Sequence, residues 1–256
     1  MTRHRCSFAA VGLLLFASSA RAEETAAEIS RKARERGALN LVGLTAKLKL
    51  VTTSKDGKVK EQELTTSSKK IGERAHTLSR FVKPAGVAGV AVLTVEGKGE
   101  AGDDISLYLP RLRRVRKVAT SERGKAFMDT DFSYSDLGSA GARDEDVRRL
   151  EDQKVDGREA YVLQGNGGEA SPYGQVVLYV DKETYVPLKA EYADKGGKPF
   201  KAYRSLRLKK FKDRVLAAES SMENLQTGSK TTVHVLELSP CALGDEAFSE
   251  RALERG

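Results

Sequence analysis

Residues 175–193 read QVVLYVDKETYVPLKAEYA. Two runs rich in β-branched and aromatic residues, 175–181 and 185–193, flank a polar centre, and Tyr185 and Pro187 fix the exit of a tight turn at 181–187. The pattern is strand, turn, strand. It continues outward in both directions. Strand-like runs recur at 158–164, 199–211, 214–225 and 230–238, separated by 165–168 (GNGG), 194–197 (DKGG), Asp213 and Gly228.

The first half follows the same grammar. Leu44, Ala46, Leu48 and Leu50 alternate with polar residues, Asp56-Gly57 supplies a hairpin turn, and a polar strand returns through Leu64. Residues 73–83 set Ala75, Thr77, Ser79 and Phe81 on one face and Arg74, His76, Leu78, Arg80 and Val82 on the other, without marking the buried one. After the breaker 84–89 (PAGVAG), residues 90–95 (VAVLTV) are continuously apolar, which suits a strand covered on both faces. Ile105, Leu107 and Leu109 form the next alternating face before Pro110. Roughly ten such strands with short connections predict a mainly β (α+β) fold built on a strongly curved antiparallel sheet, whose concave face must be closed or covered. An amphipathic helix over 23–36, carrying Ala27, Ile29 and Ala33 and stopped by Gly37, is the available cover.

The extreme N-terminus is of another kind. Arg3, His4 and Arg5 precede an apolar run from Phe8 to Ala17, too short to span a bilayer, and Ala20-Arg21-Ala22 offers a signal-peptidase site. Residues 1–22 are therefore expected to be a cleaved secretory signal and 23–256 one domain in the periplasm. Cys6 leaves with the signal, so Cys241 stands alone as a structural thiol and no intramolecular disulfide forms. The signal also removes three arginines and no acids, lowering the formal charge from +8 to +5, with signs interspersed along the chain. Nucleic acid is excluded as a partner by this moderate charge and by export.

No catalytic constellation emerges. His76 and His234 lie outside metal-ligand spacing, and there is no nucleophile elbow, P-loop or dinucleotide fingerprint. Asp103-Asp104 and Asp144, Glu145, Asp146 read as solvated loop carboxylates. The expectation is a protein that is not an enzyme and has no cofactor and no metal. Two other segments stand out. In 108–117 (YLPRLRRVRK), Arg111, Arg113, Arg114, Arg116 and Lys117 crowd around Leu112 and Val115, which fits either contact with an anionic partner or a solvated strand protecting a sheet edge. In the long irregular interval 120–146, the stretch 127–137 (FMDTDFSYSDL) places Phe127, Met128, Phe132 and Tyr134 in polar surroundings, either as a lid contacting ligand or as a plug of the core.

Taken together, 107–118 (LYLPRLRRVRKV), 131–137 (DFSYSDL), 176–192, 222–228 (MENLQTG) and 248–255 (FSERALER) resemble the LolA-like outer-membrane lipoprotein-sorting family, in particular a subgroup found beside RND-type transporters. The chain departs from it in having no tryptophan. The resemblance implies an incomplete antiparallel barrel with helices on its concave side and an apolar cavity for acyl chains of lipids or lipoproteins. It implies a periplasmic carrier; the alternative is a non-carrying module that docks on an RND-type transporter through the basic strand. Under the carrier reading the acyl-chain candidates are Phe81, Val92, Leu107, Leu109, Phe127, Met128, Phe132, Tyr134, Tyr179 and Leu188. Arg111, Arg113, Arg114, Arg116 and Lys117 are the headgroup or partner candidates. An enzyme acting on envelope lipids would instead require a polar cluster inside the cavity.

Overall fold

The alternation in LTAKLKL becomes strand β1 (Leu44–Thr53), which buries Leu44, Ala46, Leu48 and Leu50 on one face. In the computed structural model, which describes residues 23–36, 41–97, 102–138, 146–167 and 171–255, β1 lies in the middle of a sheet of thirteen strands. From it the chain meanders outward through β2 (Val59–Ile71), β3 (Arg74–Lys83), β4 (Ala91–Val95), β5 (Asp104–Leu109) and β6 (Arg114–Lys117), which forms one edge. A long crossover then carries it to the opposite edge, β7 (Arg148–Val155). It returns through β8 (Arg158–Gly165), β9 (Tyr173–Asp181), β10 (Pro187–Asp194), β11 (Pro199–Phe211), β12 (Arg214–Asn224) and β13 (Ser229–Pro240) to pair again with β1. Every pairing is antiparallel.

The sheet does not close, because β6 and β7 are not paired with each other. The expected fold class holds, with thirteen strands in place of roughly ten. Sequence patterning does not mark β7 (RRLEDQKV) as a strand, and β6 is the charged run whose reading as a solvated strand at a sheet edge matches its place in the fold. Both are edges with one neighbour each, so neither needs the regular apolar face that betrays an interior strand.

Two helices accompany the sheet among the described residues. Helix α1 (Ala26–Arg36) starts at a reciprocal cap, in which the Thr25 N–H donates to Glu28 Oε2 (2.9 Å) and the Glu28 N–H donates to Thr25 Oγ1 (3.3 Å). Its Ile29 and Ala33 pack on Leu163 of β8 and Val180 of β9, on the concave face. The short α2 (Glu250–Leu253) takes the other side. Phe248 and Leu253 cover Ala91 and Leu93, while the alternate residues Val90 and Val92 enter the main core. The continuous apolar run 90–95 is thus explained by cover on both faces, but the expectation that helices lie on the concave side applies to α1 alone. Cys241 is half-buried beside the α2 cluster. The expected signal at 1–22, Gly37, Asp144 and Glu145 lie outside the described residues.

Candidate functional site

The crossover decides what the concave face encloses. Its residues 126–133 form a miniature hairpin, closed by a bridge between Ala126 and Ser133, whose tip residues Met128 (φ +50°) and Asp129 (φ +58°) are both left-handed. Two consecutive left-handed non-glycine residues are unfavourable and persist only where surroundings hold them. Here Lys60 Nζ (3.2 Å) and Gln62 Nε2 (3.3 Å) of β2 donate to the Met128 carbonyl, and Lys60 pairs with Asp129 at 2.8 Å. The Asp131 carboxylate accepts from Thr231 Oγ1 of β13 at 2.7 Å and from Ser229. The finger drives Phe127 against Phe81 (ring centroids 5.5 Å) and Tyr134 (5.7 Å). The concave face is therefore filled around Phe81, Phe127 and Tyr134, but not at the Ala75, Thr77 and Thr94 end of β3 and β4.

Beyond Tyr134 the crossover makes a single 3-10 turn (Tyr134–Leu137) and reaches the second meander through a buried polar cluster. The Asp136 carboxylate accepts from the Ser133 N–H and Ser133 Oγ (both 2.7 Å) and from the Tyr173 hydroxyl (2.8 Å), and lies 3.5 Å from Lys201 Nζ. The side chains of Lys201 and Asp136 are only 5% and 10% exposed. Burial, reinforced by the Asp136 charge, pushes the Tyr173 hydroxyl well above the ordinary tyrosine range and keeps it protonated as a donor. Every member is engaged with another, so the cluster reads as a lock on the crossover and not as an acid, base or nucleophile awaiting substrate.

Between this lock, α1 and the sheet remains a hollow of about 310 Å³. Ala33 of α1, Ala75 and Thr77 of β3, Thr94 of β4 and Leu137 of the crossover meet Leu163, Val176, Leu178, Ala190, Tyr192, Tyr203 and Met222 from β8–β12. At the rim Gly138 abuts Asp103 so closely that a Cβ there would lie 1.8 Å from Asp103 Oδ2, so a side chain at 138 would require the Asp103 carboxylate to move. Small side chains make the space. Along the inward row of β3, Phe81 stands at the filled end and Ala75 and Thr77 at the hollow end. The volume is at the lower end of ligand pockets, which run roughly 300–1,000 Å³. Among the described residues no cluster of His, Cys, Asp or Glu could hold a metal ion, and no helix is long and apolar enough to cross a membrane.

The acyl-chain candidates separate into three groups. Phe81, Val92, Leu107, Phe127 and Tyr134 are buried in the solid core, with Leu109 and Met128 packed against it. Phe132 belongs to that core and also lines the hollow. Tyr179 and Leu188 lie in a separate cluster with Val155, Ala160 and Val162, on the other face of the sheet from Leu178 and Ala190, and do not line this hollow. The Tyr179 hydroxyl instead donates to Glu191 on that face (3.2 Å). Among the headgroup candidates, Arg116 pairs with Glu122 (2.7 Å) and Lys117 with Glu250 (3.2 Å) and Asp104 (3.6 Å), whereas Arg111, Arg113 and Arg114 are exposed at the β5–β6 turn.

The family model that matches residues 73–255 is described as that of an uncharacterized protein. The chain belongs to that family. Its architecture is LolA-like. An outer membrane lipoprotein-sorting protein domain from Vibrio parahaemolyticus is 27% identical with a TM-score of 0.78, over 90% of this chain and 98% of that one. A DUF1329 family protein from Desulfovibrio piger is 25% identical with a TM-score of 0.80, over 89% and 97%. A LolA superfamily protein from Nitrosomonas europaea, 20% identical with a TM-score of 0.69 over 90% and 100%, shares the fold. No curated protein matches the sequence. The LolA-like resemblance read from the sequence motifs is thereby borne out, and the unclosed antiparallel sheet is the LolA-like curved sheet.

Proposed function

We propose that the protein is a periplasmic carrier that binds acyl chains of lipids or lipoproteins and passes them between components of the envelope. The observation that carries this reading is the apolar hollow of about 310 Å³ left between α1, the crossover and the second meander. The lipoprotein-sorting name of the Vibrio relative and the secretory signal read at residues 1–22 support it. In this reading the chain supplies shielding from water and no covalent chemistry, and transfer follows relative affinity. An RND-type inner-membrane transporter is the proposed donor or acceptor, on the strength of the subgroup resemblance. A cargo-free docking module would need a solid interior, and the hollow stands against it.

A fluorescent fatty-acid probe, displaced by unlabelled fatty acids of increasing length, tests the proposal. Each buried methylene contributes about 0.8 kcal/mol, so affinity should rise roughly fourfold per carbon until the hollow is full and then level off. Ala190→Phe, which fills the space from β10, should abolish probe binding while leaving the far-ultraviolet circular dichroism unchanged. Binding that ignores chain length, or survives Ala190→Phe intact, would place hydrocarbon elsewhere or nowhere.

A further inference from the structure

We infer that the β5–β6 turn, residues 110–113, is a tip that docks the protein on an anionic membrane surface; this rests on the carrier reading only in giving the docked protein a reason to be there. The turn is closed by the Leu112 N–H donating to the Leu109 carbonyl (3.0 Å) and the Arg113 N–H donating to the Pro110 carbonyl (3.2 Å), with Arg113 left-handed at φ +47°. This puts Leu112 at the apex with 62% of its surface exposed. Beside it the β3–β4 loop exposes Pro84, Ala85, Gly86 and Ala88, and Gly89 packs against Pro110.

The charges around the apex are divided. Of the five cations in 111–117, Arg116 and Lys117 are neutralised by acids of the same chain, whereas Arg111, Arg113 and Arg114 form no ion pair among the described residues. Three guanidiniums without an ion pair among the described residues, collaring an exposed leucine, match the layering of a bilayer surface. Guanidiniums bind phosphates in bidentate fashion, their stems lie along apolar surface, and the leucine reaches the acyl boundary. A four-residue convex turn is also far smaller than the roughly 800 Å² per partner of a stable protein interface. The contrast with the β11–β12 turn sharpens the assignment. There Lys209, Lys210 and Lys212 are exposed and likewise form no ion pair among the described residues, but the turn itself is Lys212-Asp213, with no apolar apex.

Co-sedimentation of the full mature chain with vesicles of phosphatidylcholine, with and without phosphatidylglycerol, tests this. The protein should partition to the anionic vesicles and be released by salt. Replacing Arg111, Arg113 and Arg114 together by serine should lower partitioning about a hundredfold, at about fivefold per cation near such a surface. Leu112→Ser should lower it about tenfold while keeping the salt dependence. Replacing Lys209, Lys210 and Lys212 by serine should change it much less. Equal partitioning to both vesicle types, or an equal loss in the lysine variant, would overturn the tip. So would unchanged vesicle binding in the arginine variant accompanied by loss of capture of a purified RND-type transporter, which would make the turn a protein contact. Fatty-acid probe binding, measured on the same variants, should be unaffected; a wild-type chain that binds vesicles through the tip but takes no probe would sink the carrier reading and leave the tip standing.

Discussion

Lys201 and Asp136 face each other almost fully withdrawn from water, and their value to the fold depends on both being present. Removing one partner of a buried pair leaves a charge stranded and typically costs about 3–5 kcal/mol, whereas replacing both by apolar groups is often close to neutral. Lys201→Met and Asp136→Leu should therefore each lower the urea midpoint, and the double variant should lose less than the sum of the two, while the unpaired Ser133 and Tyr173 donors keep it below the wild type. Equal and additive losses would show that the pair does not act as a lock. Asp181 in the DKETYVP turn is engaged in a comparable way, accepting from Arg158 Nε (2.5 Å), Thr184 N–H (2.8 Å) and Thr184 Oγ1 (2.7 Å). Burial raises its pKa, but those hydrogen bonds outweigh burial and hold the carboxyl below its usual range. That turn, legible from Tyr185 and Pro187, serves the fold by fixing the β9–β10 connection.

At the scale of elements, α1 is fastened to the second meander by more than Ile29 and Ala33. Glu24 pairs with Lys32 and accepts from the hydroxyls of Tyr185 (2.7 Å) and Tyr161 (3.0 Å). The Lys32 hydrogen bond, joined by those of the two tyrosines, overrides the opposing effect of burial and holds the carboxyl down to about 2, against an ordinary value of 4.5. Because the folded pKa is depressed, this fastening is complete above pH 4.5 and is lost as pH falls through about 2. Tyrosine fluorescence at Tyr161 and Tyr185 should report α1 loosening across that window, and Glu24→Gln should remove the transition; a transition unchanged in Glu24→Gln would assign it to other groups. Sequence reading found α1 because its stripe and polar flank repeat at helical spacing. It could not choose the inward face of β9, since VVLYV is apolar at every position, and the structure turns Leu178 inward and Tyr179 outward. Large side chains are the conspicuous candidates for cargo contact in a sequence, whereas a hollow is made by small ones. Ala75 and Thr77, opposite in size to Phe81 on the same face, are the signal that sequence carries for it.

For the whole molecule, the topology explains why a hollow exists. The chain starts in the middle of the sheet, meanders to one edge, crosses the concave face to the other and meanders back. One crossover must thus cover a face thirteen strands wide. It fills the half beneath Phe127 and Tyr134, and beyond its Asp136 anchor α1 is the remaining cover, leaving a mainly apolar space lined by alanines, threonines, aliphatic side chains and tyrosines, with Arg34, Glu96, Asp103 and Asp136 as its charged members. Thirteen strands around a solid interior would have needed large residues at 33, 75 and 190. The most direct measurement is native mass spectrometry of the mature protein purified without detergent from the envelope of a producing cell. A population heavier than the chain by the mass of an acyl lipid is expected, absent in Ala190→Phe. Recovery of the empty chain alone from lipid-rich extracts would contradict it.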